Sequence, residues 1–309
     1  MPFLLRKLKT GFLFYQVCII SIGGLSLYSM SMTLRSFQIE EFSGECPKDV
    51  DSLFGKMINE SPKPFFSRID TVSEEVFKWW KPIQGSKENF TYYKMTVEKT
   101  FQMIPPTLEV FKPSTDSCRT CAVVGNSGHL LGSRYGRLID FHDVVIRMNR
   151  GITKGYETDV GTKTTHRVMY PESATQVDNT THLLFFPYKI RDYEWLRKVM
   201  NPENANKRIS QGVKVTYLSP AFMKYVYDVW LGKKGGYGST GFMTVILSLV
   251  ICDEVNVFGF GADGDGNWSH YFEKFRFKGL GTGLHSGKRE YMTYEHLHEA
   301  KIIRFFKKL

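Results

Sequence analysis

Alanine is absent before Ala122, and no charged residue lies between Thr10 and Leu34. Cysteine is sparse: five in 309 residues are too few for a small disulfide scaffold, although a few structural bridges remain open. There is no internal repeat, no low-complexity tract and no zinc-finger or RNA-recognition signature, and Lys and Arg form no stripe. These absences exclude a nucleic-acid partner. No H-E-x-x-H and no pair of C-x-x-C motifs supports zinc. What is present is 42% hydrophobic and 15% aromatic, which excludes wholesale disorder and can bury a core of one large or two modest domains. The net charge is +10. Residues 1–35 hold Arg6, Lys7, Lys9 and Arg35 without an acid, so the excess on the remainder is modest and scattered, suiting an anionic ligand.

As a helix, the uncharged run from Thr10 to Leu34 would reach about 37 Å, enough to cross roughly 30 Å of hydrocarbon. The missing alanines leave no A-x-A site for cleavage of a signal peptide. Arg6, Lys7 and Lys9 precede the run and Glu40 and Glu41 follow it, which keeps the N-terminus cytosolic. The expectation is a cytosolic tail over 1–9, a transmembrane signal-anchor over 10–34, a Pro-bearing stem over 35–70 and a lumenal body over 71–309. Lumenal placement makes the sequons at Asn59, Asn89, Asn179 and Asn267 usable. It also permits disulfides among Cys46, Cys118, Cys121 and Cys252, in three possible pairings.

Helical spacing of Val72, Val76, Phe77 and Trp80, repeated over Thr91–Met103, opens the body with helices, and Pro105-Pro106 ends that section. From Cys118 the texture changes to short β-branched runs starting at Cys121, Val144, His182, Val213, Glu254 and Lys301, which predict strands buried on both faces. Ser219-Pro220 and Ser239-Thr240 start helices between them. Strands alternating with helices imply an α/β fold with a mainly parallel sheet flanked by helices.

Gly125-Asn-Ser-Gly128 follows the first of these strands, where glycines let backbone N–H groups approach a phosphate. The full G-x-G-x-x-G spacing of a dinucleotide site is missing. Tyr237-Gly-Ser-Thr-Gly241 opens an apolar helix, and there either an anion meets the positive end of the dipole or the helix is simply capped. Asp263-Gly-Asp265 is a D-x-D that could hold Mn²⁺ or Mg²⁺ against a diphosphate, or be a solvated turn. A calcium loop is excluded because Trp268 and Lys274 stand where it needs Gly and Glu. His270 and His285 lie in polar, Gly-rich loops that suit acid–base chemistry.

Several segments together resemble one known family. Cys118-Arg-Thr-Cys-Ala-Val-Val-Gly-Asn-Ser-Gly through Asp143-Val-Val-Ile-Arg-Met-Asn149 to Asp159-Val-Gly-Thr-Lys-Thr-Thr-His166 resembles the large motif of the animal sialyltransferases of glycosyltransferase family 29. Tyr237-Gly-Ser-Thr-Gly-Phe through Cys252-Asp-Glu-Val and Phe258-Gly-Phe-Gly resembles the small motif, His270-Tyr-Phe-Glu273 the third and His285-x4-Glu290 the very small one. Tyr170-Pro-Glu-Ser and Trp79-Trp80 are most similar to the β-galactoside α2,3 branch acting on Galβ1,3GalNAc.

The resemblance implies a single Rossmann-like catalytic domain of the GT-A-variant type in a single-pass Golgi membrane protein. It would transfer N-acetylneuraminic acid from CMP-sialic acid, with inversion, to galactose on O-glycans or gangliosides, without a metal or other cofactor. By the same resemblance His285 is the base and His270 the phosphate partner. Asn126, Ser127, Asn149, Tyr237, Ser239, Thr240 and Gly241 hold CMP, and Tyr170, Gln84 and Trp268 face the acceptor. Cys121 pairs with Cys252, leaving Cys118 for Cys46. The chain departs from the family in having no tyrosine between Trp195 and Val215, in its single post-stem cysteine Cys46 and in Asp263-Gly-Asp-Gly. The competing readings are a metal-dependent glycosyltransferase using Asp263 and Asp265, and a catalytically silent sugar-binding relative.

Overall fold

The β-branched runs do form strands, and they line up side by side. The computed structural model describes residues 53–107, 118–203, 209–210, 212–262, 266–273, 283 and 285–307. In chain order the elements begin with α1 Leu53–Asn59, β1 Phe65–Phe66, α2 Glu74–Trp80, α3 Phe90–Met103, β2 Thr120–Val124, α4 Gly136–Phe141, β3 Val144–Met148, α5 Glu157–Val160 and β4 His166–Met169. They continue with β5 His182–Phe185, α6 Ile190–Met200, β6 Val215–Leu218, α7 Pro220–Tyr225, α8 Thr240–Ile251, β7 Glu254–Phe258, α9 Gly287–Glu299 and β8 Arg304–Phe306. The eight strands make one sheet in the order β1-β6-β5-β4-β3-β2-β7-β8. Every neighbouring pair is parallel except β1 with β6.

Side chains alternate between the two faces of each strand, so the sheet divides the core. Val123, Ile146 and Val257 face the cluster completed by Tyr93, Leu196, Phe222, Val245 and Leu297 of α3, α6, α7, α8 and α9. Ala122, Val145 and Phe258 face a smaller cluster with Ile139 of α4, Val160 of α5 and Tyr271. In α8, Phe242 to Leu249 are all buried, as expected of a helix apolar all round. Helix starts follow side-chain capping: Ser73, Asn89, Ser219 and Ser239 each accept a backbone N–H two or three residues on.

The sequence reading assigned residues 35–70 to a stem, and from Leu53 onward the structure corrects this. The Tyr225 hydroxyl donates to the Met57 carbonyl, Phe54 stacks on Trp230 with centroids 6.1 Å apart, and β1 pairs with β6. Phe54, Met57, Phe65 and Phe66 anchor the segment without forming a periodic pattern, so three prolines and scattered charges masked it. The membrane segment over 10–34, Cys46, Asp263 and Asp265 lie outside the described residues. Among the described residues no helix is long and apolar enough to cross a membrane.

Candidate active site

From β2 the chain steps through β3, β4, β5 and β6 on one side, then returns to place β7 on the other flank of β2. The crevice of a parallel sheet opens at such a reversal, beyond the carboxyl ends of the strands. The loops after β2 and β7 meet there very closely. A Cβ on Gly125 would run into the Gly259 carbonyl oxygen, and Gly259 has φ +71°, so glycine is required on both sides. Gly241 is in similar contact: a Cβ there would lie 2.6 Å from the Phe260 ring. The β2 loop, the β7 loop and the start of α8 therefore form one surface.

Asn126 and Asn149 line that surface after β2 and β3. The Asn126 amide donates to the Met148 carbonyl at 3.2 Å. Asn149 stands in the left-handed region at φ +53°, which asparagine tolerates better than most residues. Arg167 of β4 donates to the Asn149 carbonyl at 2.8 Å and reaches the Gly151 carbonyl, fixing this turn. The side-chain oxygens of both asparagines are buried without a protein partner. Each such orphan acceptor costs about 1–3 kcal/mol, which a ligand donor would relieve. Ser127 is different: its hydroxyl donates to the Gly261 carbonyl at 2.8 Å and its N–H to the Gly259 carbonyl. Ser127 thus spends both donors on tying the two loops together.

His270 pairs with Ser127 in an antiparallel bridge and is held by Glu273, which accepts its Nδ1–H at 2.7 Å and its backbone N–H at 3.0 Å. Burial opposes ionisation of Glu273, but these bonds and the imidazole outweigh it and hold the carboxyl below its usual value. With Nδ1 engaged by Glu273, Nε2 is the ring nitrogen left to face a ligand.

At the N-terminus of α8, where sequence reasoning allowed a bound anion, the structure supplies its own. Glu290 of α9 accepts the Ser239 N–H at 2.8 Å and the Ser239 hydroxyl at 2.6 Å, while Ser239 Oγ caps Phe242 N. Burial raises the Glu290 pKa, against the pull of Ser239 and the nearby His285. The Thr240 hydroxyl shares a hydrogen bond with the Tyr188 hydroxyl at 3.1 Å.

His285 lies just ahead of α9, its ring 4.7 Å from and perpendicular to that of Tyr237. Its Nδ1 is 3.0 Å from the Tyr237 carbonyl. A carbonyl can only accept, so Nδ1 carries the proton and the basic lone pair is on Nε2. The Tyr237 hydroxyl accepts from the Gln84 amide at 3.2 Å, and Tyr188 packs between Tyr237 and Tyr170 with centroids 5.4 Å from each. Gln84, Tyr170, Tyr237, Thr240 and His285 are thereby brought together. Trp268 is half-buried two residues before His270, with no hydrogen bond or ring contact to Gln84 or Tyr170 among the described residues.

Three participants escaped the sequence reading: Arg167, Tyr188 and Lys189. Lys189 lies between β5 and α6, against Gln84, Glu172 and Asp192. Burial works against its charge, but the two carboxylates prevail and its pKa is raised. Burial pushes Asp192 up to about 6 despite this ammonium. The only signal available was position, since Arg167 is in a strand and Tyr188 and Lys189 follow one at the site's edge of the sheet.

Cys121 of β2 and Cys252 at the end of α8 are joined by a disulfide. Cys118 is disulfide-bonded as well, with a partner outside the described residues. Among the described residues no three His, Cys, Asp or Glu side chains cluster as metal ligands.

Comparison with known proteins supplies the context for this geometry. Residues 66–302 match glycosyltransferase family 29 (sialyltransferase). The chain is 40% identical to CMP-N-acetylneuraminate-beta-galactosamide-alpha-2,3-sialyltransferase 1 of Gallus gallus over 82% of this chain and 78% of that protein. It is 35% identical to the type 2 enzyme of Rattus norvegicus over 82% and 75%. The crystal structure of a mammalian sialyltransferase in complex with Gal-beta-1-3GalNAc-ortho-nitrophenol superposes with a TM-score of 0.73 at 38% identity, covering 83% of this chain and 94% of that one. The chain belongs to glycosyltransferase family 29, the sialyltransferases.

Proposed function

We propose that this chain is a β-galactoside α2,3-sialyltransferase that transfers N-acetylneuraminic acid from CMP-N-acetylneuraminic acid to the 3-hydroxyl of galactose in Galβ1,3GalNAc. Supporting this are relatives that carry the activity in their names and a solved relative that holds the disaccharide as a nitrophenol derivative. The single observation that carries the chemistry is the Nδ1 contact of His285 with the Tyr237 carbonyl, which puts the ring's basic lone pair on Nε2, next to the Tyr237 that Gln84 contacts. As the galactose oxygen attacks the anomeric carbon from the face opposite CMP, its proton passes to Nε2. The bond from that carbon to the phosphate oxygen breaks, and CMP leaves as a phosphate monoester dianion. His270, primed by Glu273, donates a hydrogen bond to the departing phosphate. Asn126 and Asn149 offer their unpartnered oxygens to donors of the nucleotide, such as ribose hydroxyls or the cytosine amine. A positioned base is worth about 10²–10⁴-fold in rate.

No metal takes part in this scheme, because one phosphate needs less counter-charge than a diphosphate and oriented donors supply it. The presence of both histidines and the Tyr237–Gly241 turn argues against a silent sugar-binding relative. Incubating the full chain with CMP-sialic acid and Galβ1,3GalNAc, Galβ1,4GlcNAc or glycolipid acceptors, with and without EDTA, tests the proposal. The expected result is α2,3-linked product on Galβ1,3GalNAc in EDTA. Activity abolished by EDTA and restored by Mn²⁺ overturns the metal-free scheme and promotes Asp263 and Asp265.

We further infer a single-pass Golgi membrane protein with residues 10–34 as anchor and the body in the lumen. The Cys121–Cys252 disulfide suits an oxidising compartment. Asn59, Asn89 and Asn179 are exposed and so open to glycosylation, whereas Asn267 is buried.

A further inference from the structure

The reaction chemistry accounts for His285 and Tyr237 but leaves a half-buried ammonium, linked to them through one residue, Gln84, unexplained. Lys189 Nζ lies 2.8 Å from Gln84 Oε1, 2.5 Å from Glu172 Oε1 and 3.1 Å from Asp192 Oδ1. The first two are hydrogen bonds and the third is an ion pair, so three oxygens hold the charge. Asp192 is fully buried and accepts the backbone N–H groups of Tyr188 and Lys189, so the ammonium is fixed to the start of α6. An ammonium has no acceptor, so the Gln84 atom facing it must be the carbonyl oxygen. The amide nitrogen is thereby turned away, and it donates to the Tyr237 hydroxyl at 3.2 Å. That hydroxyl, occupied as an acceptor, has its own proton left to donate. The donors run one way, from Lys189 to Gln84 to Tyr237, and each bond polarises the next.

We propose that Lys189 is a positioning residue for acceptor recognition, orienting the Gln84 amide so that Gln84 and Tyr237 present N–H and O–H donors to the acceptor galactose beside His285. The inference rests on the acceptor reading of Gln84, and it moves Tyr237, which the resemblance assigned to CMP, to the acceptor side because its hydroxyl pairs with Gln84. It adds that the direction of the amide, and hence which sugar oxygens are accepted, is set by Lys189 acting through Gln84. Without the ammonium, the Gln84 amide could turn its oxygen toward Tyr237 and offer the sugar the wrong partner.

Steady-state kinetics of the full chain with Galβ1,3GalNAc test this in Lys189→Met, Gln84→Ala and the double variant. Lys189→Met should raise the acceptor KM about ten-fold, the scale of one charge-assisted hydrogen bond, and leave the CMP-sialic acid KM within about two-fold of the parent. The double variant should be no worse than Gln84→Ala alone, because Lys189 acts through Gln84. Should the single variant fold poorly with Asp192 left unpaired, Lys189→Met in an Asp192→Asn background gives the same comparison. Gln84→Glu keeps an oxygen for Lys189 but loses the donor to Tyr237, and should raise the acceptor KM as Gln84→Ala does. An unchanged acceptor KM in Lys189→Met beside a raised one in Gln84→Ala overturns the role of Lys189 alone. So does an additive double variant, or a donor KM that rises equally. An unchanged acceptor KM in Gln84→Ala overturns the acceptor reading itself and the Lys189 role with it.

Discussion

Glu290 grips Ser239 twice, through the backbone N–H at 2.8 Å and the hydroxyl at 2.6 Å, and so couples the start of α8 to the helix that follows His285. A carboxylate at a helix N-terminus is favoured by the dipole, and here it also spans two segments of the site. Glu290→Ala should destabilise the fold by about 1–3 kcal/mol, since it strands two donors, and should lower kcat. Glu290→Gln, which can still accept, should recover most of the stability. Thermal melting beside initial rates checks this, and an Ala variant as stable as the parent would contradict it.

His285→Ala should cut turnover by about 10²–10⁴-fold with CMP affinity nearly intact, because a base acts on the acceptor hydroxyl. His270→Ala should weaken CMP binding along with turnover, since its contact with phosphate already exists in the ground state. Calorimetry with CMP beside rate measurements separates the two. Equal loss of CMP affinity in both variants would undo the assignment of roles.

Cys252→Ser should cost about 2–5 kcal/mol, the usual penalty for losing a native bridge. The bond joins the central strand β2 to the end of α8, so expression of folded enzyme should fall steeply. Denaturant melts of the purified variant measure the loss, and an unchanged midpoint would show the bridge to be dispensable.

Acid should weaken the protein through two histidines far from the chemistry. His166 and His182 are register partners on β4 and β5, and burial, aided by neighbouring positive charge, lowers them to about 3 and about 4. Unfolded histidine titrates near 6.5, so from about pH 4 to 6.5 the unfolded chain binds more protons and stability rises with pH. Asp192, pushed up to about 6 by burial, and Glu290, also raised by burial, act in the opposite sense, but His142, lowered by burial, joins the two histidines on the other side. Melting temperature should therefore drop as pH falls below about 6.5, and His182→Gln should flatten the drop. Parallel curves for parent and variant would rule out His182 as a source.

Periodicity revealed what was apolar and repeated. It found the first body helices and six strands, because β-branched runs buried on both faces leave no polar alternation to confuse. It missed β4, whose His166 and Arg167 read as polar although His166 is buried. It also missed α9, whose inward face is Gly287, Glu290, Tyr294 and Leu297, only half apolar. Site residues carried by motifs could be named from the sequence, and Gln84, Tyr237 and His285 do lie together. Lys189 and Arg167 could not be, because their roles come from facing a carbonyl on another loop, a relationship fixed only when the sheet is assembled.

The strand order imposes a schedule on the folding chain. β2 pairs with β7 from Thr120 opposite Glu254 to Val124 opposite Phe258, a contact across more than one hundred residues. Until β7 has been synthesised, β2 is an open edge whose N–H and C=O groups on the side away from β3 are unpaired, the kind of surface that invites intermolecular pairing. Closing so long a loop is slow in topologies dominated by distant contacts. A chain truncated before β7 would carry most of the sheet yet leave β2 as an exposed edge, so aggregation, not partial activity, is the expected fate of such fragments.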